Sequence, residues 1–214
     1  MAKIQIVALP VIRRLPRYYR FVCSLMADGI ERISSKELSE RMGLTASQIR
    51  QDLNCFGGFG QQGYGYNLSV LKEEIAKILN LNDRIKTILI GAGNIGKAVC
   101  TRIDFEARGF ELLKVFDKSP DVIGKVIGGL EVADSAALNE YCKENNIKAA
   151  IVCVPDENAK EVIENLISLG IKIFWNYTQY DIVLSHPNEK LAVENVHLND
   201  SLMTLRYLAK EIDE

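Results

Sequence analysis

The sequence is poor in the residues on which metal sites, disulfide frameworks and histidine-based catalysis depend. Only two histidines occur, His186 and His197, and the five cysteines are odd in number with no Cys-x-x-Cys spacing. These shortages argue against a zinc site, a disulfide framework and a histidine-based triad, and we expect no bound metal. No run of about 18 apolar residues exists, so we expect no transmembrane helix and no membrane partner. The N-terminal residues lack the cleavage pattern of a signal peptide, which favours a cytoplasmic protein.

The composition is that of a globular protein with an uneven charge distribution. Apolar residues make up 48% and charged residues 25% of the 214, which excludes disordered, collagen-like and coiled-coil chains. Residues 1–80 hold 11 Lys and Arg against 7 Asp and Glu, whereas the remaining residues hold 15 against 21. A basic front half indicates an anionic partner for that half, although ordinary compositional scatter gives the same imbalance.

The front half begins with the pattern of three helices. Pro16 is tolerated in a first helical turn, and apolar residues then recur at helical spacing, at Tyr18, Phe21, Val22, Leu25 and Met26. Ser34 with Glu37, and Thr45 with Gln48, each have the spacing of a capping box. Two short capped helices joined by a turn at Gly43 predict a helix-turn-helix.

The second helix of this pair has an apolar face and a polar face. Ile49 and Leu53 would point to the core, while the opposite face carries Ser47, Gln48, Arg50, Gln51 and Asn54. Arg, Gln, Asn and Ser are the side chains that contact base edges and phosphates in protein–DNA complexes. A plain helical hairpin with a solvated polar face remains the alternative at this point.

The residues after this helix favour DNA binding further. The stretch from Gly57 to Asn67 holds five glycines and three aromatic residues, which predicts a short strand, a turn at Gln61–Gln62–Gly63 and a return strand. A helix-turn-helix followed by such a hairpin is a winged helix. We therefore add three residues of the hairpin and one residue that precedes the first helix to the DNA-binding set: Gln61, Gln62, Tyr64 and Arg14. A further helix, with Leu71, Ile75 and Ile78 on one face, leads to a linker at Asn80–Asp83.

The most specific motif lies in the back half. A Gly-x-Gly-x-x-Gly loop follows an apolar strand, Thr87 to Ile90, and opens a helical run. Such glycines permit a tight turn, close approach of the pyrophosphate and packing of helix on strand. The next strand ends in Asp117, 21 residues after Gly96, where an acid accepts hydrogen bonds from ribose hydroxyls and repels a 2′-phosphate. The motif predicts a Rossmann-like domain that binds NAD(H) in preference to NADP(H), although Lys118 weakens this exclusion slightly.

Further strands and helices complete an alternating pattern. Lys148–Val154 and Ile171–Trp175 predict buried parallel strands, with a helix at Glu157–Leu169 between them. We place the cofactor against the ends of these strands and the loop; the assigned residues are Gly91, Ala92, Gly93, Asn94, Ile95, Gly96, Asp117, Lys118, Val154, Pro155, Asn176 and Tyr177. The final segment, Asp200–Glu214, has the spacing of an amphipathic helix, which is either a lid on the core or an arm that contacts a partner.

The pattern predicts an α/β protein with three parts. Residues 1–80 would form a winged helix-turn-helix domain, residues 81–199 a Rossmann-like NAD(H)-binding domain, and residues 200–214 a C-terminal helix. No Tyr-x-x-x-Lys pair occurs, and no catalytic pair surrounds either histidine. We therefore expect the nucleotide to be a signal, not a substrate. The alternatives are an NAD-dependent oxidoreductase with an accessory helical domain and a nucleotide-binding module that interacts with protein.

These features together resemble the Rex family of redox-sensing transcriptional repressors over essentially the whole chain. The matching residues are Tyr18–Tyr19–Arg20, Ser34–Ser35, Arg50, Asp52–Leu53, Phe56–Gly57, Phe59–Gly60, Gly63, Gly65–Tyr66, the Gly91–Gly96 loop, Asp117, Asn176 and Val193–Leu198. The resemblance implies a cytoplasmic homodimer that binds an inverted-repeat operator and exchanges its C-terminal helix between subunits. It also implies that NADH, which is sensed and not consumed, releases the DNA, while NAD⁺ permits binding.

Several positions depart from the family pattern in the DNA-binding half. Gln51 stands where the family usually has Lys or Arg, and Gln61 and Gln62 stand in the wing where basic residues are common. Fewer phosphate contacts predict weaker and less salt-sensitive DNA binding.

Other departures fall in the nucleotide-binding half. Arg102 replaces a tyrosine and His197 an aspartate; with Arg20, they map onto the residues that the resemblance assigns to the switch between states. Thr178–Gln179 stand where Ala-Pro is usual, which alters one wall of the nicotinamide pocket.

Overall fold

The chain folds into two units. In a computed structural model, which describes residues 7–57, 60–61, 64–210 and 212, the first unit is Met1–Asp83 and the second is Arg84–Glu214. The boundary follows Asp83, at the end of the expected linker. The elements of the first unit are α1 (Leu9–Ala27), β1 (Arg32–Ile33), α2 (Ser35–Met42), α3 (Ala46–Asn54), β2 (Gly60–Gln61), β3 (Gly65–Asn67) and α4 (Leu68–Ile78).

The predicted capping of the helix-turn-helix is largely confirmed. Ser34 and Glu37 form a reciprocal capping box at the start of α2, and Gly43 ends that helix in a left-handed conformation. Thr45 caps α3 by accepting from the Gln48 N–H at 3.1 Å. The Gln48 side chain, however, does not return to Thr45 and instead donates to Asp52 at 2.8 Å. The second capping box is therefore only half formed.

The first helix begins earlier than the sequence predicted. Pro16 was expected to mark its start, but α1 begins at Leu9 and contains Pro16 in its interior. The proline in the first turn of α1 is Pro10. A proline is tolerated there because N–H groups of a first turn have no intrahelical partner. The helix continues through Pro16 because the residues flanking it, including Leu15 and Tyr18, are buried in the core.

The glycine-rich stretch forms two paired strands as predicted, while residues 62 and 63 of the predicted turn lie outside the described residues. β2 and β3 are antiparallel, and β1 joins β3 on its other side to give a three-stranded sheet of order β1-β3-β2. A Cβ atom on Gly65 would lie 2.5 Å from the Ile33 carbonyl oxygen, and its φ is +69°, so this position requires glycine. A helix-turn-helix with a sheet hairpin defines the first unit as a winged helix.

The second unit is a doubly wound sheet. Its strands are β4 (Ile85–Ile90), β5 (Phe110–Asp117), β6 (Val126–Ile127), β7 (Leu130–Asp134), β8 (Ala149–Val152), β9 (Ile173–Asn176) and β10 (Ala192–Asn195). Its helices are α5 (Asn94–Arg102), α6 (Leu138–Asn145), α7 (Asp156–Ser168), α8 (Ile182–Ser185) and α9 (Leu198–Lys210). The sheet order is β10-β9-β8-β4-β5-β7-β6, with only β6 antiparallel among the described strands. This is the Rossmann strand order with one added edge strand.

Two apolar clusters cover the two faces of this sheet. Residues of α6 and α7, such as Cys142 and Ile163, pack with Ile88 and Phe174 on one face. Val99 of α5 packs with the other face. Within the described part of the chain, no helix is long and apolar enough to cross a membrane, and no three potential metal ligands cluster.

Candidate functional site

The polar face of α3 is exposed where the sequence predicted it. Ser47, Arg50, Gln51 and Asn54 are exposed, whereas Ile49 and Leu53 on the other side of the helix are 0% and 1% exposed. The Arg50 guanidinium donates to the Ser35 hydroxyl at 3.0 Å. Among the described residues this is the one hydrogen bond that the guanidinium makes, and most of its five N–H donors remain for a ligand.

A buried carboxylate on α3 holds two of the predicted DNA-binding residues. Asp52 is 1% exposed and accepts both the Nε and the Nη2 hydrogens of Arg14, each at 2.7 Å. The Tyr18 hydroxyl and the Gln48 amide donate to the same carboxylate at 2.8 Å. Burial alone raises the pKa of Asp52, but hydrogen bonds from Arg14, Tyr18 and Gln48 outweigh it and leave this pKa below its ordinary value.

Arg14 and Gln48 have an intramolecular partner. Both were predicted to contact DNA; each is half-buried and donates to the Asp52 carboxylate, and their contact with DNA stays a prediction. In the wing, Tyr64 is 72% exposed. The backbone of Gln61 lies in β2, while Gln62 lies outside the described residues. Among the predicted DNA-binding residues whose side chains the structure describes, the exposed ones therefore lie on α3 and at Tyr64.

The Gly-x-Gly-x-x-Gly loop lies between β4 and α5. Gly91 has φ +100°, and a Cβ atom there would lie 2.6 Å from the Cys153 carbonyl oxygen. A Cβ atom on Gly96 would lie 1.8 Å from the Gly91 carbonyl oxygen. A Cβ on Gly93 would meet nothing within 4 Å, and no side chain caps α5. The loop thus has two positions, Gly91 and Gly96, that leave no space for a side chain. Because no side chain caps α5, the N–H groups at its start can bind a pyrophosphate.

Asp117 lies at the end of β5, beside this loop. Its carboxylate accepts from the Ala92 N–H at 2.6 Å and from the Ser119 N–H at 2.8 Å. A carboxylate has about four lone-pair sites, so acceptor capacity remains for ribose hydroxyls. Lys118 is exposed, and its ammonium group donates to Asn158 at 2.8 Å, across to α7. The residues present fit an adenosine ribose without a 2′-phosphate.

The remaining predicted cofactor residues follow β8 and β9 at the same edge of the sheet. Pro155 precedes α7 and is exposed, and Val154 is half-buried. Tyr177 is half-buried and packs edge-to-face on Trp175, with ring centroids 5.0 Å apart. Burial, with the neighbouring Cys153, raises the pKa of Tyr177 to about 12, so its hydroxyl stays protonated.

Asn176 has a different position from the one expected. The sequence placed it just past the strand as a cofactor ligand, but it is the last residue of β9 and is 0% exposed. Its amide is bound to protein groups on every side, with Thr178, Tyr180 and Asn195 as partners. Asn195 and Asp52 are the polar residues at these sites that sequence reasoning did not single out for a role, because each is defined by a partner distant in the chain.

The three residues expected to form a switch belong to different units. Arg20 is an exposed residue of α1, whereas Arg102 is exposed at the end of α5. The Nδ1 atom of His197 lies 3.2 Å from an Asp200 oxygen, and its Nε2 atom is buried without a hydrogen-bond partner among the described residues.

The terminal helix begins at Leu198, slightly earlier than predicted, and its apolar residues are exposed. Leu202, Leu205 and Leu208 are 65%, 59% and 49% exposed, and Met203 is 64% exposed. On the sheet face that α5 covers only in part, Ile151, Ile173 and Trp175 line an apolar groove of about 630 Å³.

Family models match both units. Residues 6–54 match the family described as "Putative DNA-binding protein N-terminus", and residues 82–180 match the family described as "CoA binding domain". The first match lies in the winged-helix unit, and the second lies in the Rossmann-like unit except for residues 82 and 83.

Full-length relatives are similar to the entire chain. The redox-sensing transcriptional repressor Rex of Clostridium kluyveri is 48% identical over 213 residues, covering 100% of both chains. The protein of the same name from Caldanaerobacter subterraneus is 49% identical over 211 residues, covering 99% of this chain and 93% of its own. Crystal structures of RSP, a Rex-family repressor, superpose on the chain. The complex with NAD⁺ and operator DNA has a TM-score of 0.88 and 46% identity, covering 97% of this chain and 94% of its own. The NADH complex has a TM-score of 0.86 and 43% identity, covering 97% and 96%.

A winged helix joined to a Rossmann-type nucleotide site defines a DNA-binding regulator that responds to a nucleotide. With its full-length similarity to named repressors, the chain belongs to the Rex family of redox-sensing transcriptional repressors. The close relatives are repressors and not enzymes, so the oxidoreductase alternative is not favoured.

Proposed function

We propose that the chain represses transcription as a homodimer on an inverted-repeat operator and that NADH releases it from the DNA. The observation that carries this proposal is the joining, in one chain, of a winged helix with an exposed polar face and a nucleotide loop with an open helix N-terminus. A repressor of this kind acts in the cytoplasm, and the nucleotide is a ligand that leaves unchanged. RSP was crystallised with NAD⁺ and operator DNA, and also with NADH.

Each part of the chain has a role in this proposal. Residues 1–80 bind DNA, residues 81–199 bind NAD(H), and residues 200–214 hold the dimer together. Within the first part, Ser47, Arg50, Gln51 and Asn54 contact the operator, because their side chains are exposed on one face of α3. Tyr64 in the wing contacts the DNA backbone beside the half-site, and Gln61 and Gln62 are proposed to do the same.

Arg50→Ala tests the DNA-binding part most sharply. If Arg50 contacts a base, the substitution should cost about 1–3 kcal/mol of operator binding. NADH affinity should stay unchanged, because Arg50 belongs to the first unit. Lys143→Ala in α6, which removes an equal charge from an exposed position, is the matched control. Fluorescence anisotropy with labelled operator measures both variants, and intact binding by Arg50→Ala would remove α3 as the reading element.

The exposed face of α9 supports a dimer formed through this helix. Its leucines have no cover within the described chain, and burial of a leucine side chain contributes about 1.5–3 kcal/mol. A second copy of the chain provides a matching surface in the apolar groove over β8 and β9. We therefore place α9 of one protomer on its partner, as an exchanged helix in a two-fold dimer.

Arg20, Arg102 and His197 form the proposed switch. Arg102 and His197 are chemically unlike the tyrosine and aspartate that the family resemblance leads one to expect at these positions. The buried Nε2 atom of His197 leaves one polar atom available to a group from a partner or a ligand. A change in the relative placement of two winged helices is enough to break their fit to two half-sites.

A further inference from the structure

The amide of Asn176 is saturated by protein groups. Its Nδ2 atom donates to the Tyr180 carbonyl at 3.0 Å and the Asn195 Oδ1 atom at 2.9 Å, with a longer contact of 3.3 Å to the Thr178 carbonyl. Its Oδ1 atom accepts from the Thr178 N–H at 3.1 Å and the Thr178 hydroxyl at 2.8 Å. An amide offers two donors and two acceptor sites, so no capacity is left for a cofactor.

One side of this network reaches the segment that leads to α9. Asn176 and Asn195 are the last residues of the neighbouring parallel strands β9 and β10, and they are directly paired in register. The next residue, Val196, donates its N–H to the Asn176 carbonyl at 2.8 Å. His197 follows, and α9 begins at Leu198. The segment that leads into α9 is therefore bound to the end of β9 by both side chain and backbone.

The other side of the network reaches the nucleotide cleft. The Tyr177 N–H donates to the Val152 carbonyl at 3.0 Å, at the end of β8. The Gln179 N–H donates to the Asp156 carboxylate at 2.8 Å, in the first turn of α7. The end of β8 also lies beside the Gly91 turn, since a Cβ atom on Gly91 would lie 2.6 Å from the Cys153 carbonyl oxygen. The loop after β9 is therefore hydrogen-bonded to the end of β8 and to the first turn of α7, which both border the nucleotide cleft.

From these contacts we infer that Thr178 and Asn195 are positioning residues. Through Asn176 they couple movement of the loop after β9, at the nucleotide cleft, to movement of the segment that leads into α9. Thr178 is 1% exposed, so its hydroxyl acts on Asn176 and not on solvent. The Thr178 N–H can only donate and the Tyr180 carbonyl can only accept, which fixes the orientation of the Asn176 amide. Asn195 must then present an oxygen to it. This inference rests on the proposed release of DNA by NADH.

Two pairs of variants separate this role from a general effect on folding. Thr178→Val removes the hydroxyl at nearly constant volume, while Thr178→Ser keeps it. Asn195→Leu removes the acceptor oxygen, while Asn195→Asp keeps one. The measurement is the ratio of operator Kd with and without NADH, taken together with the Kd of NADH without DNA and the thermal midpoint.

The ratio is expected to fall about fivefold in Thr178→Val and in Asn195→Leu, the change that one net hydrogen bond supplies. The operator ratio should fall by a larger factor than any change in the Kd of NADH without DNA, since the Thr178 hydroxyl and the Asn195 Oδ1 atom both bond to Asn176. Thr178→Ser and Asn195→Asp should keep the ratio of the unaltered chain. An unchanged operator ratio in Thr178→Val and Asn195→Leu overturns the inference. A fall in this ratio that is equalled by the loss of NADH affinity without DNA overturns it as well. If NADH does not change the operator Kd of the unaltered chain, the proposed function is wrong, and this inference is wrong with it.

Discussion

Replacing Asp52 by Asn tests the account of the DNA-binding unit at its most buried polar group. The carboxylate is 1% exposed and receives four hydrogen bonds from three side chains, two of them from Arg14. An amide at this position would turn N–H donors toward the donors of Arg14 and Tyr18. The partly exposed guanidinium of Arg14 would then lose its opposite charge, and removing one partner is the costly way to break such a pair.

The loss of stability expected for Asp52→Asn depends on how far Asp52 and Arg14 are exposed to solvent. Removing one member of a buried ion pair typically costs about 3–5 kcal/mol. The Arg14 side chain is 31% exposed, and solvent screens part of its charge, so about 2–4 kcal/mol is the appropriate range. For a domain of this size each kcal/mol lowers Tm by about 4–8 °C, which predicts a fall of about 8–32 °C in the transition of the first unit.

Circular dichroism or calorimetry of the full chain measures this fall. Asp28→Asn, at an exposed position after α1, is the matched control and should change stability by less than about 0.5 kcal/mol. The Asp52 pKa is lowered in the folded state, so its contribution is present above the ordinary value of 3.8 and is lost as pH falls through the folded pKa. The two chains should therefore converge only in acid. An Asp52→Asn protein that melts with the unaltered chain at neutral pH would refute the reasoning.

Three further predictions concern the second unit. Asp117→Ala should narrow the preference for NADH over NADPH, measured by titration calorimetry, because it removes the charge that repels a 2′-phosphate; an unaltered preference would exclude Asp117 from the ribose site. Gly96→Ala should abolish NADH binding while operator binding persists, because the new Cβ would lie 1.8 Å from the Gly91 carbonyl oxygen; normal NADH affinity would contradict the packing described. Leu205→Glu should convert the dimer to monomer or aggregate by light scattering, because the α9 face would carry a charge; an intact dimer would place the interface elsewhere.

Local signals predicted much of the fold. Ser34 with Glu37 specifies the start of α2 through contacts within four residues. The glycines of the wing and of the Gly91–Gly96 loop are recognisable by their spacing in the sequence. Helix starts and strand ends were less certain because packing decides them, as Pro16 inside α1 shows.

The parts that were missed depend on distant partners. Asp52 lies 38 residues from Arg14, and the polar face of α3 looks uniformly solvated until this pairing is seen. Asn176 and Asn195 lie 19 residues apart and meet only because β9 and β10 are adjacent. Helical or strand periodicity reports which face a residue occupies, but not which remote group will saturate its hydrogen bonds.

The central claim is that NADH lowers the affinity of the dimer for its operator. An inverted-repeat DNA selected from a random pool by the protein itself provides the probe, and anisotropy gives its Kd with no nucleotide, NAD⁺, NADH or NADPH. A nearly complete switch requires about 5.5 kcal/mol, shared between the cofactor sites of the dimer. We expect NADH to raise the operator Kd strongly, NAD⁺ to leave it low and NADPH to act only at much higher concentration. Equal operator affinity under NADH and NAD⁺ would contradict the account.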